Sequence, residues 1–293
     1  MRLFGLFRTM TAMARDLADK TYLVTGANTG IGKVTALELA KRGAHVFLAC
    51  RSKDKTDPVV AEINGTVGAD RAEFLALDLA SLESVRSCAT AFLDRGVPLH
   101  GLINNAGLVT RGSTKEGFEL IFGVNHLGHY LLTRLLLDKI KASGPARIVN
   151  VASAAHYRAK GIDWAAQQKP TKSITGFHEY MVSKLANVLF TQELARRLAG
   201  TNVTTYAVHP GGVASDVWRR VPNPIRWLML KAMLTVEQGA VSSLKAATDP
   251  ALATESGRYY TTFGKEKAAS PRATPELAKE LWDKSAAWVG LEP

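Results

Sequence analysis

The chain contains only two cysteines, Cys50 and Cys88, among 293 residues. Two thiols cannot build the disulfide framework of a small secreted domain, so we expect a reducing compartment, the cytoplasm, and inert thiols. Charged residues make up 22% of the chain and hydrophobic residues 46%. This balance excludes a disordered or low-complexity polymer, because enough apolar surface is available to build a core.

Long hydrophobic runs are also missing, since none approaches the roughly 20 residues that a membrane-spanning helix needs. Residues 1–17 carry Leu, Phe and Met at near-helical spacing, with Arg2, Arg8 and Arg15 between them. Two interpretations stay open for this segment: a frayed start, or a basic amphipathic helix on a membrane surface. We treat 1–19 as an N-terminal extension and expect a cytoplasmic protein that is either free or peripherally membrane-associated.

Acidic residues are outnumbered 26 to 37 by basic ones, which gives a net charge of +11. The sequence nevertheless lacks Cys/His finger spacing, an aromatic RNA-binding platform and a dense basic block, so nucleic acid is not a predicted partner. Its histidines show no metal-ligand spacing, and no metal site is predicted. The charge is interpreted as a solvated surface that favours a small anionic ligand.

The sequence does contain a regular alternation of short apolar runs and segments with helical periodicity. The runs predict strands over 21–25, 45–50, 74–78, 99–104, 147–152 and 203–208, and the segments between them predict helices, among them 59–67, 82–93, 118–140 and 179–198. Strands that are apolar along their whole length need cover on both faces, which is typical of parallel sheets. We predict an α/β fold, a single Rossmann-type domain over 20–293 with a doubly wound parallel sheet flanked by helices.

Two irregular stretches, 154–178 and 214–235, interrupt this alternation. Long loops in compact domains are usually functional, so both are candidate walls of a ligand pocket. The second stretch mixes Trp, Ile, Leu and Met with several basic residues. It predicts a lid over an apolar substrate, with a membrane-facing helix and plain core packing as alternatives.

A glycine-rich turn, T-G-A-N-T-G-I-G over 25–32, connects the first strand to the first helix. Glycine lets the backbone approach a pyrophosphate, which then meets the N–H groups at the positive end of the helix. The spacing departs from G-x-G-x-x-G, and an ordinary strand-to-helix connection is the alternative. The turn predicts a dinucleotide site that includes Gly26, Asn28, Thr29, Gly30, Ile31 and Gly32.

Residues at the ends of the next strands extend this predicted site. Arg51 stands where an Asp or Glu would hold the ribose of NAD. Because a guanidinium pairs with a 2′-phosphate, Arg51 predicts NADP(H) as the cofactor. The alternative is that Arg51 is only a solvated strand end. Asp78, followed by Leu79, could accept from an adenine amino group or cap the next helix. The run N-N-A-G ends the fourth strand and suits close passage beside a ligand, although it is also a common turn composition; its predicted cofactor contacts are Asn105, Ala106 and Gly107.

Tyr180 and Lys184 are spaced to share one face of a helix. Lowering a phenol pKa from about 10 toward 7 takes roughly 4 kcal/mol, which one ammonium about 4 Å away supplies at an effective dielectric near 20. The pair alone is also compatible with a solvated helix face. Ser153 ends the fifth strand at the same predicted sheet edge and can bond a substrate carbonyl oxygen. Asn125 lies within a predicted helix, where Asn is unfavourable, which indicates a structural or catalytic reason.

In combination, these motifs resemble those of the short-chain dehydrogenase/reductase family over residues 20–262. The turn T-G-x-x-x-G-x-G, N-N-A-G, the Asn, the Ser and Y-x-x-x-K occur in the family's order. The resemblance implies that Tyr180 is the general acid in carbonyl reduction and that Lys184 binds the nicotinamide ribose and lowers the phenol pKa. It further implies that Ser153 positions the carbonyl and that Asn125 supports a proton relay through water. Cofactor contacts are implied after the sixth strand, at Pro210, Gly211 and Val213.

Within the family, the runs A-N-T-G-I-G-K, A-C-R, V-N-H-L-G-H-Y-L-L-T, S-K-L-A-N-V-L-F-T and V-H-P-G resemble the retinol dehydrogenase branch. That branch implies NADP(H) and a small apolar aldehyde, ketone or alcohol, and the family implies a homodimer. The predicted function is therefore an NADP(H)-dependent oxidoreductase that interconverts an apolar alcohol and its carbonyl compound. The alternatives are an NAD-linked steroid or sugar-nucleotide dehydrogenase, and a dinucleotide-binding regulator without turnover.

Overall fold

The apolar runs form a single sheet in the computed structural model, which describes residues 15–213 and 233–293. The strands are β1 (Thr21–Thr25), β2 (His45–Cys50), β3 (Ala72–Ala76), β4 (Gly101–Asn104), β5 (Ala146–Val151), β6 (Val203–Val208), β7 (Arg258–Thr261) and β8 (Lys265–Glu266). The helices are α1 (Gly30–Lys41), α2 (Lys53–Val67), α3 (Leu82–Leu93), α4 (Leu120–Phe122), α5 (Gly128–Ala142), α6 (Phe177–Arg197), α7 (Val236–Thr248) and α8 (Pro275–Trp288).

The strands lie in the order β3-β2-β1-β4-β5-β6-β7-β8. All neighbouring pairs are parallel except the last, in which β8 runs antiparallel to β7. The order reverses between β1 and β4, so the loops after these strands diverge and leave a crevice at the carboxyl edge, where such folds bind their ligands. The predicted doubly wound parallel sheet in one Rossmann-type domain is confirmed.

Successive strand residues bury their side chains on opposite faces of the sheet, as Leu23 and Val24 do. The core on one face includes Leu23, Phe47 and Leu102 with residues of α3, α5, α6 and α8. The core on the other face includes Val24 and Ile103 with residues of α1, α2 and α7. Helices cover both faces, which explains why the central strands are apolar throughout.

Three observed elements depart from the predicted boundaries. Strand β3 begins two residues before the predicted start at Phe74, because the Asn64 side chain accepts from the Arg71 and Ala72 N–H groups and fixes them against α2. Helix α2 begins at Lys53 rather than at Val59, since its polar first turns carry little apolar periodicity. The helix predicted over 118–140 is interrupted by a π-helical turn, Gly123–Leu127, between α4 and α5.

The sequence pattern did not predict the C-terminal elements β7, β8, α7 and α8. Helix α8 packs against α5 and α6 through the buried Trp282, whose ring centroid lies 5.1 Å from that of Tyr130 and 6.0 Å from that of Phe190. The Arg197 guanidinium lies 4.3 Å from the Trp282 ring centroid. Over residues 15–213 and 233–293, no helix has the length and apolar character needed to cross a bilayer.

Two predicted segments fall largely outside the described residues. Of the extension 1–19, residues 15–19 are described: Leu17 is buried in the core, and Asp16 forms an ion pair with Arg42. The amphipathic interpretation of residues 1–14 lies outside. Of the lid predicted over 214–235, the structure describes 233–235, where Leu234 donates its N–H to the Gly212 carbonyl and Thr235 caps α7.

Candidate active site

The glycine-rich turn between β1 and α1 forms an open cradle at the carboxyl edge. Gly26 and Gly30 have φ angles of +64° and +57°, in the left-handed region that favours glycine. Helix α1 begins at Gly30 and has no acidic residue in its first turn, so the partial positive charge of its N-terminus is not offset there. Asn28 and Ile31 are half-buried beside it, and Thr29 is exposed at the helix N-cap.

Added side chains would affect the three turn glycines differently. A Cβ on Gly32 would lie 2.5 Å from the Gly26 carbonyl oxygen and 2.5 Å from Asn105 Nδ2, and a Cβ on Gly26 would lie 3.0 Å from Ala106. A Cβ on Gly30 would meet nothing within 4 Å. The outer glycines are therefore held by close packing, whereas Gly30 exposes backbone to open space, as a pyrophosphate site requires.

The N-N-A-G run holds this turn in place. The N–H groups of Asn105 and Ala106 both donate to Thr25 Oγ1 at 2.9 Å, and Asn105 Nδ2 donates to the Thr25 carbonyl at 2.8 Å. Gly107 is exposed, and a Cβ there would lie 3.6 Å from Lys184 Nζ. The run thus links the glycine turn to the region of Lys184.

On the β2 and β3 side of the crevice, Arg51 is exposed directly after β2. Two basic neighbours form ion pairs, Lys33 with Glu62 at 2.6 Å and Lys53 with Asp57 at 2.5 Å. In the described part of the chain, Arg51 forms no ion pair of this kind. Its guanidinium is therefore available to an anionic ligand.

Asp78 and Leu79 follow β3 and support local structure. Asp78 Oδ1 accepts from the Ala80 N–H at 3.0 Å. The N-cap of α3 is Ser81, so the capping alternative for Asp78 is wrong. Leu79 is buried against Gly128, where α5 begins.

Ser153, Tyr180 and Lys184 meet beyond the end of β5. Ser153 follows that strand, and its side chain acts on the Tyr180 phenol in the direction that lowers the phenol pKa. Lys184 is buried, donates from Nζ to the Val151 carbonyl at 2.8 Å, and places Nζ 5.5 Å from the Tyr180 ring centroid. The structure therefore brings the three predicted side chains together on the crevice side of α6.

The pKa shifts correct one prediction. Burial raises the pKa of Tyr180, and the side chain of Ser153 offsets only part of that effect. Burial also lowers the pKa of Lys184 from 10.5 to about 8. The predicted lowering of the Tyr180 pKa by Lys184 alone is therefore not found. Burial removes water from both the phenol and the ammonium, and the ammonium is bonded to the Val151 carbonyl.

Asn125 lies in the π-helical turn and is fully buried. Its Oδ1 accepts from the Leu108 N–H at 2.9 Å, and its Nδ2 donates to the Leu108 carbonyl at 3.1 Å and to Ser183 Oγ at 3.0 Å. Ser183 Oγ in turn donates to the Tyr180 carbonyl at 2.8 Å. The amide thus joins the loop after β4 to the first turns of α6, a structural reason for Asn at this position.

Pro210, Gly211 and Val213 lie after β6, at the far side of the same edge. Gly211 has a φ of +95°, and a Cβ there would lie 2.5 Å from a Leu234 side-chain carbon. Val213 pairs with Leu234 in an isolated bridge. The side chains of Val213 and Ile31 both approach Gly239 of α7, which places this segment beside the start of α1.

Sequence reasoning missed several polar residues beneath this edge. Asn104 Nδ2 donates to Asn150 Oδ1 at 2.8 Å, and these two amides tie β4 to β5. His129 bonds to both Thr25 and Asn125. The spacing Asn125-x-x-x-His129 was a usable signal, since residues four apart on a helix are neighbours. Among the described residues, no cluster of His, Cys, Asp and Glu could hold a metal ion.

Comparison with known proteins identifies relatives of this chain. The family model for short chain dehydrogenase matches residues 20–225. Human retinol dehydrogenase 11 is 45% identical over 280 residues, which cover 94% of this chain and 87% of that protein. The crystal structure of an uncharacterized protein from Mycobacterium paratuberculosis has a TM-score of 0.74 at 33% identity, covering 95% of this chain and 98% of its own.

A second solved structure resembles the fold and contains a ligand. It is described as an NAD(P) dependent gluconate 5-dehydrogenase from Beutenbergia cavernae with bound NADP. Its TM-score is 0.69 at 28% identity, and the match covers 85% of this chain and 97% of that chain.

Proposed function

We propose a function from one premise: the chain belongs to the short-chain dehydrogenase/reductase family. It is therefore an oxidoreductase of alcohols and carbonyl compounds that uses a nicotinamide dinucleotide. Beyond that, the proposal is an NADP(H)-dependent, retinol dehydrogenase-like enzyme acting on a small apolar alcohol and its aldehyde or ketone. The observation that carries it is the meeting of Ser153, Tyr180 and Lys184 at the sheet edge that also holds the open glycine turn.

The cofactor would be held along the carboxyl edge of the sheet. The backbone at Gly30 faces open space at the N-terminus of α1, which suits a pyrophosphate. The proposed contacts of the dinucleotide are Gly26, Asn28, Thr29, Gly30, Ile31, Gly32, Arg51, Asp78, Leu79, Asn105, Ala106, Gly107, Tyr180, Lys184, Pro210, Gly211 and Val213. When bound, reduced nicotinamide supplies the hydride for the carbonyl carbon.

The chain's own residues would handle the proton. Because burial raises the Tyr180 pKa, the phenol is protonated at neutral pH, which is the state that a general acid needs in carbonyl reduction. Ser153 would hold the carbonyl oxygen beside that phenol. The ammonium of Lys184 would hold the nicotinamide ribose beside the phenol, and Asn125 would support the relay that replaces its proton. These roles favour reduction over oxidation near neutral pH.

An aromatic ring next to the phenol and an exposed apolar residue in the loop before α6 support an apolar substrate. Phe177 stacks on Tyr180 with ring centroids 6.1 Å apart. Ile174, in the loop before α6, exposes 86% of its surface. The similarity to retinol dehydrogenase 11 supports the same class of substrate, since that protein is named for a long apolar alcohol.

A turnover screen tests the substrate class. We expect the purified chain to oxidise NADPH when apolar aldehydes are supplied, and to do so much more slowly with hydrophilic sugars. Each aldehyde should be paired with a hydrophilic aldehyde of similar size, so that polarity alone differs. Faster turnover of the hydrophilic member of each pair would overturn the substrate class.

Arg51→Ala tests cofactor selection. Removing a charge-assisted contact to the 2′-phosphate should reduce the preference for NADPH over NADH by about 10- to 100-fold, mainly through weaker NADPH binding. The matched control is Lys53→Ala, because that lysine is already paired with Asp57. Dissociation constants for both cofactors decide the question, and an NADPH/NADH ratio that Arg51→Ala leaves unchanged would refute the role of Arg51.

Assembly and location are also part of the proposal. We expect a homodimer in the cytoplasm, with the basic N-terminal segment either a frayed start or a peripheral membrane contact, the second supported by Arg2, Arg8 and Arg15 among apolar residues. Sedimentation of the full chain with and without anionic vesicles measures both the mass of the assembly and its association with lipid.

A further inference from the structure

The hydroxyl of Thr25, at the end of β1, has a fixed direction. Its Oγ1 accepts N–H bonds from Asn105 and Ala106, both at 2.9 Å. Its proton must therefore point elsewhere, and His129 Nε2 lies 2.8 Å away, nearer than the Ile103 carbonyl at 3.4 Å. The hydroxyl thus donates to the imidazole, so His129 Nε2 is an acceptor.

The other nitrogen of the same ring is consequently a donor. Burial, with Lys184 nearby, lowers the pKa of His129 to about 4, so the ring is neutral and carries one proton. With Nε2 accepting, that proton is on Nδ1, which donates to the Asn125 carbonyl at 3.1 Å. His129 is 2% exposed, so water does not compete for either bond.

The two bonds complete a buried path between two parts of the site. One arm reaches Thr25, which is bonded to the N-N-A-G run and is the first residue of the glycine turn. The other arm reaches Asn125 in the π-helical turn, and Asn125 continues through Ser183 Oγ to the Tyr180 carbonyl. His129 is the residue in this path that bridges β1 and the π turn.

We propose that His129 is a positioning residue that sets the distance between the cofactor turn and the helix bearing Tyr180 and Lys184. The inference rests on the proposed function. The Thr25 arm aligns the glycine turn and so governs cofactor affinity. The Asn125 arm fixes the π turn and, through Ser183, the first turn of α6, and so governs the rate of the chemical step.

Two substitutions separate the arms. In His129→Asn, the side-chain amide nitrogen occupies the region of Nδ1 and can still donate to the Asn125 carbonyl, but the shorter chain cannot reach Thr25. In His129→Gln, the amide oxygen reaches toward Thr25 and can accept its proton, while the bond to Asn125 is lost. We expect His129→Asn to weaken NADPH binding about tenfold with kcat near wild type, and His129→Gln to lower kcat about tenfold with NADPH binding retained.

The matched control is His126→Asn. His126 is also buried and lies three residues earlier, in the π turn, but it bonds to Ser285 of α8. This control should lower the melting temperature while leaving the NADPH dissociation constant and kcat near wild type.

Three quantities are measured for the wild type and the three variants. They are the NADPH dissociation constant by fluorescence titration, the single-turnover rate with an apolar aldehyde, and the melting temperature. The inference is supported if affinity falls only in His129→Asn and rate only in His129→Gln. Parallel losses that track the melting temperature in both variants would overturn it. If the wild type binds NADPH but reduces no aldehyde, the proposed function fails. The difference in NADPH dissociation constant between His129→Asn and His129→Gln then still decides the role of His129.

Discussion

Tyr180→Phe is expected to lower the single-turnover rate of aldehyde reduction by about 10²- to 10⁴-fold, the range that general acid catalysis contributes. The substitution removes only the hydroxyl of Tyr180 and keeps the ring that stacks on Phe177. NADPH affinity should therefore change little. The measurement is the rate of NADPH oxidation at saturating cofactor, with the NADPH dissociation constant determined separately.

Tyr157→Phe is the matched control for this loss. Tyr157 lies in the short turn after Ser153, and its hydroxyl donates to the Ala268 carbonyl, so its removal leaves the proposed proton donor intact. We expect this variant to keep most of its rate. If the two variants lost rate equally, or if Tyr180→Phe turned over like the wild type, the assignment of Tyr180 as the acid would be refuted.

Lys184→Met should affect activity and stability in opposite directions. The ammonium proposed to hold the nicotinamide ribose beside Tyr180 is lost, so we expect the rate to fall at least about 100-fold. The free energy of unfolding should rise, because the variant no longer buries a charge. The Val151 carbonyl keeps a hydrogen bond from Asn187 Nδ2 at 3.1 Å, and methionine nearly matches the volume of lysine, so neither an orphan acceptor nor a large cavity opposes the gain.

The pKa of Lys184 sets the size and pH dependence of this gain. A folded-state pKa of about 8 against an ordinary 10.5 means that the unfolded chain binds the proton more tightly. The wild type therefore gains stability as the pH rises from about 8 to 10.5 and loses it as the pH falls through 8. At neutral pH the cost approaches about 3 kcal/mol as an upper bound, and Lys184→Met should remove it.

Urea unfolding of both proteins at pH 7 and at pH 10 measures this effect. The variant should be the more stable protein at pH 7, and the difference should shrink at pH 10. A variant less stable than the wild type at pH 7 would show that Lys184 contributes more to folding through its bond to Val151 than its burial costs.

Local rules were enough to predict the parts of this molecule that depend on neighbouring residues. Strand β1, the glycine turn and the start of α1 follow from a short apolar run, three glycines and helical spacing within one stretch of chain. The shared face of Tyr180 and Lys184 follows from helix geometry alone. The sequence pattern also placed Ser153 at the end of β5, and parallel strands end at a common edge.

Features that depend on distant parts of the chain could not be predicted in this way. The shift of β3 is caused by Asn64 on the preceding helix, and the contact between His129 and Thr25 joins residues 104 positions apart. The raised pKa of Tyr180 depends on burial by several elements, whereas spacing reports only its distance from Lys184. The bonds of Asn125 to Leu108 and Ser183 likewise join residues that no local pattern relates.

Transfer of deuterium from NADPH labelled at the nicotinamide C4 position to an apolar aldehyde tests the central claim most directly. If hydride passes from the nicotinamide to the carbonyl carbon while the side chain protonates the oxygen, the label must appear on the carbonyl carbon of the product, with one NADPH consumed for each alcohol formed. We predict that stoichiometry and that position of the label. Tight NADPH binding with no labelled alcohol from any aldehyde or ketone would contradict the claim and indicate a dinucleotide-binding regulator.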